Sequence, residues 1–171
     1  MNTGRRFLMI SSLLFFVSIL LLLSSCSLLQ NKRVIVADTP STDLSEENID
    51  GIFLGTNIKE SNFIKGFKIK NDGLNSYNLD NDKYGILTNN EKEITFITGN
   101  ETIKTGKGVN HGDSINQVIK KYGKNYYEYT VQGVQTIGYV DHKNKCKIDF
   151  WYVNNKVIDI TLSNEDVDPI L

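Results

Sequence analysis

The chain has 171 residues with 19 Lys and Arg against 20 Asp and Glu, a net charge of −1. That balance carries no basic surplus and excludes an electrostatic footprint for nucleic acid. Two cysteines, Cys26 and Cys146, are too few for a disulfide-stapled scaffold, so the fold must be held by an apolar core.

Arg5 and Arg6 precede an apolar run, Phe7 to Leu23, broken only by Ser11, Ser12 and Ser18, and the small residues Ser24 and Ser25 then lead into Cys26. A positive start, an apolar stretch and a small-residue ending are the layout of a secretory signal. The competing reading is an uncleaved transmembrane anchor, since the run is nearly long enough to span a bilayer. Both readings place the bulk of the chain outside the cytoplasm. The ending Leu23-Ser24-Ser25-Cys26 resembles a bacterial lipobox. That resemblance implies diacylglycerol transfer to the Cys26 thiol, cleavage before Cys26, and then N-acylation, giving an extracytoplasmic protein lipid-anchored to the bacterial cell membrane. Two or three acyl chains hold a protein firmly where one holds it reversibly. Loss of residues 1–25 removes Arg5 and Arg6 and moves the net charge from −1 to −3. With Cys26 acylated, Cys146 has no thiol to pair with and is expected to be buried.

Residues 26–48 contain Pro40, many polar residues and few large apolar ones after Val36, and are expected to form the lipidated N-terminus and a flexible tether. Within them, 32–37 reads as linker or as a short edge strand. From Ile49 the pattern becomes that of a folded domain. Gly55-Thr56-Asn57-Ile58 aligns with Gly112-Asp113-Ser114-Ile115, 57 residues further on, and each follows an apolar lead-in. That offset suits a small repeated unit and exceeds a solenoid repeat. The first unit, 49–101, is expected to hold a helix over about 57–63 and strands over 67–70, 74–79, 84–88 and 93–98. Turn residues such as Asn71-Asp72-Gly73 and Asp80-Asn81-Asp82 separate them.

The second unit, 102–164, has the clearer helix. Ile115, Val118, Ile119 and Tyr122 fall at i, i+3, i+4 and i+7, one face of a 3.6-residue period. Asp113 is placed to cap its start, Lys120 and Lys121 suit its negative end, and Gly123 can take the left-handed position that stops it. Strands are expected near 126–131, 135–140, 146–153 and 157–162. In the last hairpin a three-residue loop, Asn154 to Lys156, pairs Phe150 with Ile160 and Ile148 with Leu162, keeping apolar residues on one face. Lys147, Asp149, Trp151, Asp159 and Thr161 then point the other way. Residues 165–171 form an acidic C-terminal tail. The fold class is therefore α+β: two tandem units, each a short helical segment packed on a four-stranded antiparallel sheet.

A helix followed by an antiparallel sheet, given twice, with Gly112-Asp113-Ser114-Ile115, Val118-Ile119 and Tyr122-Gly123 at the second helix, resembles the β-lactamase-inhibitor-protein-like fold. It is also similar to small SmpA/OmlA-type envelope lipoproteins and to lipoprotein domains of Gram-positive bacteria. The resemblance implies a non-catalytic module that binds proteins or braces envelope complexes. The chain shows Gly123-Lys124-Asn125 where the outer-membrane type has Gly-x-Pro, so outer-membrane assembly is not implied.

Chemistry has little to stand on. His111, Asp113 and Ser114 sit at a helix start and Asp141 with His142 in a turn, but no base, orienting group and nucleophile come together as a hydrolase needs. Asp141, His142 and Cys146 have a conceivable metal spacing, yet the strand points Cys146 inward and a structural zinc site takes four ligands. Gly106-Lys107-Gly108 lacks the full phosphate-loop pattern. No catalytic residue, metal or cofactor is expected. The remaining candidate is a partner-binding face formed by Tyr126, Glu128, Lys147, Asp149 and Trp151, since aromatics mixed with charges suit a protein interface; the bland alternative is that Trp151 merely packs one unit on the other. The leading expectation is a membrane-anchored extracytoplasmic lipoprotein acting as a non-catalytic protein-binding or structural module of the cell envelope. A small envelope enzyme or its accessory domain, or a ligand-binding lipoprotein, is the alternative.

Overall fold

A computed structural model describes residues 27–59, 65, 67–71 and 77–167. Cys26, the lipobox residues Leu23, Ser24 and Ser25, and the signal segment lie outside the described residues, as do positions 168–171 of the acidic tail. The chain divides at Asp38 into two units. In the first, Ser27–Asp38 form helix α1. Its sequence carries neither an acidic first turn nor a basic last turn, and its apolar residues make no strong stripe. A helix here replaces the tether or edge strand expected over these positions.

The second unit starts at Thr39 and holds, among the described residues, helix α2 (Ile115–Tyr122) and eight strands: β1 (Lys68–Asn71), β2 (Tyr77–Asp80), β3 (Tyr84–Thr88), β4 (Ile94–Gly99), β5 (Tyr127–Val131), β6 (Val134–Asp141), β7 (Cys146–Val153) and β8 (Lys156–Asn164). The strands follow the expected positions closely, but the architecture does not. They form one antiparallel sheet in the order β1-β2-β3-β4-β8-β7-β6-β5, so the expectation of two separate helix-plus-sheet units is wrong. Each meander would leave an open edge, at β4 and at β8. Joining them through Phe96↔Ser163, Ile97↔Leu162 and Thr98↔Thr161 satisfies both edges and merges two apolar faces into one core.

The first unit's expected helix also fails where it can be seen. Asn57 bridges to Glu93, Ile58 donates its N–H to the Lys92 carbonyl, and Asn57 to Lys59 are bridge and turn; positions 60–63 of that helix lie outside the described residues. The break in its apolar stripe at Ser61 and Asn62 leaves it without a face to bury. Loops take its place in the core. Leu44, Ile49, Ile52, Ile58, Ile103 and Val109 are all buried in the same cluster as Ile86, Ile97, Ile148, Phe150, Ile160 and Leu162. The segment after Thr39 is accordingly no loose tether: Thr42 N–H donates to the Val140 carbonyl (2.7 Å) and Leu44 N–H to Asp141 Oδ2 (2.9 Å).

Helix α2 lies on the central strands. Ile115, Val118 and Tyr122 are buried, and the Tyr122 ring is 5.1 Å from both the Tyr139 and the Phe150 rings. Its cap is Ser114, not Asp113. Ser114 Oγ accepts from the Gln117 N–H, the Gln117 side chain accepts from the Ser114 N–H, and the pair closes a capping box. Asp113 instead accepts from the Asn110 N–H in the preceding turn. Gly123 ends the helix at φ 96°, a conformation that disfavours any side chain.

The last hairpin reaches the expected register by another route. Asn154 and Asn155, both at positive φ, make a two-residue turn. A bulge after Trp151 then leaves Ile158 exposed and restores Phe150↔Ile160 and Ile148↔Leu162. The bulge and the short turn together perform the job that a longer loop would have done.

Candidate functional site: the sheet face opposite helix α2

One face of the sheet carries the apolar core. The other carries the polar and aromatic residues of β5 to β8. Pairing fixes which residues share it: Thr136↔Trp151↔Asp159, Gly138↔Asp149↔Thr161 and Tyr127↔Gly138. Lys147, Asp149 and Trp151 therefore stand where the alternation of β7 put them. Tyr126 and Glu128 do not. Glu128 pairs with Ile137 and Tyr126 stacks edge-on against Tyr139, so both belong to the core side. Their places are taken by Tyr127 and Tyr129. β5 contains three alternating aromatic or charged choices, and one residue of parity exchanged the two sets.

Asp149 anchors this face. It is 4% exposed, and it accepts from Tyr127 Oη (2.6 Å) and Tyr129 Oη (3.1 Å). Two phenol donors on one carboxylate offset much of the cost of burying its charge. Gly138 makes room for them, because a Cβ there would strike Asp149 Oδ1 and the Tyr127 ring. A glycine in mid-strand was the available sign of this close approach. Gly138→Ala is expected to lower stability by about 2 kcal/mol, in the range for overpacking a buried site; urea unfolding followed at Trp151, the chain's single tryptophan, would measure it.

Trp151 stands next to this cluster, with its ring edge-on to Tyr129 at 6.4 Å. Its indole Nε1 and the hydroxyl of the directly opposed Thr136 are both buried and have no hydrogen-bond partner among the described residues. On the other side of Trp151, Asp159 accepts from the Ile160 N–H and from Thr98 Oγ1 (3.2 Å). Burial raises the Asp159 pKa above the usual carboxylate value, with those two bonds and the nearby His111 pulling against it. His111 brings a third buried polar atom without a partner among the described residues, Nε2, to this side of the molecule. Lys147, also on this face, has its ammonium committed to the carbonyls of Glu165 and Val167 (2.8 Å each), which ties down the start of the acidic tail.

The residues considered for chemistry are used structurally. Ser114 Oγ is engaged in the helix cap. His142 bridges the Thr39 carbonyl (2.9 Å, through Nε2) and Glu165 (3.1 Å, through Nδ1). Asp141 accepts from the backbone of Leu44, Lys143 and Asn144 and from the Asn144 amide. Burial pushes the Cys146 thiol up to about 11, away from thiolate reactivity. Among the described residues no group of three His, Cys, Asp or Glu side chains is placed to hold a metal, and no helix is long and apolar enough to cross a membrane.

Comparison with known proteins returns no matching family model, no similar characterised protein and no similar solved structure.

Proposed function

We propose that the protein is an extracytoplasmic lipoprotein, anchored in the bacterial membrane through Cys26, that works without catalysis as a protein-binding module of the envelope. The observation that carries the binding half is the pair formed by Trp151 Nε1 and Thr136 Oγ1, opposed on adjacent strands and unpartnered among the described residues. A buried donor left unpaired costs about 1–3 kcal/mol, so native proteins rarely keep one without a use. An indole N–H can only donate. The partner that fits is therefore a protein segment that seats on the half-buried Tyr129 and Trp151 rings, turns the indole outward and brings a backbone carbonyl or other acceptor to it. Tryptophan and tyrosine are the residues that most often anchor protein interfaces. The resemblance of the helix motif to envelope lipoproteins supports the same reading, and the Arg5 to Cys26 layout supports its location.

Each half has its own test. In cells producing the full chain, Cys26→Ala is expected to lose metabolic lipid labelling and signal processing together; normal labelling of that variant would remove the anchor from the account. After cross-linking in intact cells, Trp151→Ala is expected to retain the wild-type partner about tenfold less well, the minimum for an interface hot spot. Equal recovery of that same partner by a folded Trp151→Ala protein would remove the face.

A further inference from the structure

The two carboxylates beside Trp151 are served unequally. Asp149 is closed off by the phenols of Tyr127 and Tyr129. Asp159 stands directly opposite Trp151 on β8 and is partly exposed. Side chains of directly opposed residues start about 5 Å apart, which puts this carboxylate beside the indole. Its hydrogen bonds, from the Ile160 N–H (2.7 Å) and from Thr98 Oγ1 (3.2 Å), both end on Oδ1. The Thr98 hydroxyl has one proton and divides it with the Ile160 carbonyl (3.2 Å). Oδ2 accepts no hydrogen bond among the described residues. Nor does a cation of the chain serve it. Lys147, on the same face, gives its ammonium to the Glu165 and Val167 carbonyls. His111 is near enough for its charge to pull the Asp159 pKa down, yet no ion pair joins the two among the described residues. Burial pushes the other way and wins, so the net shift is upward, as for a carboxylate short of positive charge.

We propose that the protein segment bound on this face presents an arginine, its guanidinium lying on the exposed part of the Trp151 ring and donating to Asp159 Oδ2. This rests on the face being a protein-binding surface and adds the chemistry of the residue that the partner brings to it. Charge complementarity selects a cation, because the one carboxylate left open beside the aromatic ring has no positive partner in its own chain. A guanidinium suits the place better than an ammonium. It is planar, stacks on an aromatic face and sheds its water more readily, whereas a single carboxylate oxygen replaces little of an ammonium's hydration. The apolar stem of arginine gains by lying on apolar surface. Ile158, put out of register by the bulge next to Asp159, keeps 46% of its surface exposed. A metal ion would lack ligands, since among the described residues no three His, Cys, Asp or Glu side chains gather to hold one.

Trp151 is the chain's single tryptophan, so its emission reports on the site. The full-length protein in mild detergent would be titrated with Nα-acetyl-arginine methylamide and, separately, with the citrulline analogue, which has the same shape and no charge. The arginine amide is expected to change Trp151 emission saturably, with half-saturation at about 10 mM for so small a ligand. The citrulline amide is expected to need about tenfold more, and the lysine amide to fall between them. Asp159→Asn keeps an acceptor for Ile160 and Thr98 and is expected to bring arginine down to the citrulline value. The comparison of the amides on the wild type needs no variant, so it decides the matter even where Asp159→Asn does not fold. Equal half-saturation by arginine and citrulline, no saturable change with arginine, lysine binding as tightly as arginine, or a folded Asp159→Asn protein that keeps the preference would each overturn the proposal. Cross-linking in intact cells separates this from the reading beneath it: the partner is expected to be recovered several-fold less well with Asp159→Asn as well as with Trp151→Ala. Full recovery with a folded Asp159→Asn protein beside loss with Trp151→Ala would remove the arginine and leave the face, and full recovery with both would remove the face itself.

Discussion

Phe150→Ala is expected to lower the free energy of unfolding by about 3–5 kcal/mol, the cost of emptying a fully buried aromatic position. Phe150 has no exposed surface, packs edge-on against Tyr122 of α2 and Tyr139 of β6, and pairs with Ile160 of β8. It is where the helix, the centre of the sheet and the last hairpin meet. Domains of this size are stable by about 5–15 kcal/mol, so the variant is expected to sit near its unfolding midpoint under mild denaturant. Urea titration of the full-length protein in detergent, read by Trp151 emission, measures the loss. A cost below about 1 kcal/mol would mean that the site collapses to fill the cavity and that Phe150 does not join these elements.

Asp141→Ala is the second large effect, at about 3 kcal/mol, because it strands several donors at once. The Asp141 side chain is 3% exposed in the β6–β7 turn and holds three backbone N–H groups and the Asn144 amide. One of those backbone groups, Leu44 N–H, belongs to the segment that fills the core beneath the loops. Burial acts to raise the Asp141 pKa, but the hydrogen bonds from Leu44, Asn144 and Lys143 outweigh it and the net shift is downward. A carboxylate with a lowered folded pKa contributes stability above its unfolded pKa of about 3.9 and loses it as pH falls through the folded value. The wild type is thus expected to lose this contribution below about pH 4, and Asp141→Ala to lack it at neutral pH already. Thermal melts at pH 7 and pH 3 would show the gap between the two proteins narrowing on acidification. An undiminished gap would place the effect in packing and not in the charge.

Local order was legible in the sequence to the extent that it depends on neighbours. The stripe Ile115, Val118, Tyr122 announces α2, and the alternation Cys146, Ile148, Phe150 against Lys147, Asp149, Trp151 sorts the faces of β7 correctly. Three features needed distant information. The pairing of β4 with β8 joins strands more than 60 residues apart, and nothing in either strand specifies its partner edge. Tyr126, just before β5, and Tyr127 and Tyr129 within it make a nearly continuous aromatic sequence, so the parity is decided by Gly138 opposite Tyr127. Residues 39–48 read as polar tether, and 57–63 as a helix, because the buried members of 39–58, Leu44, Ile49, Ile52 and Ile58, are spaced for loop contacts and follow no period.

The choice of the Trp151 face over the helix face is the point on which the functional reading turns. Photo-cross-linking in intact cells separates the two directly. One photoreactive residue would replace Tyr129, whose ring stands against Trp151, and another would replace Asn116, exposed on α2 on the opposite side. Position 129 is expected to give a discrete protein adduct that disappears when Trp151→Ala is added, and position 116 none. An adduct from position 116 alone, or one from position 129 that survives Trp151→Ala, would contradict it.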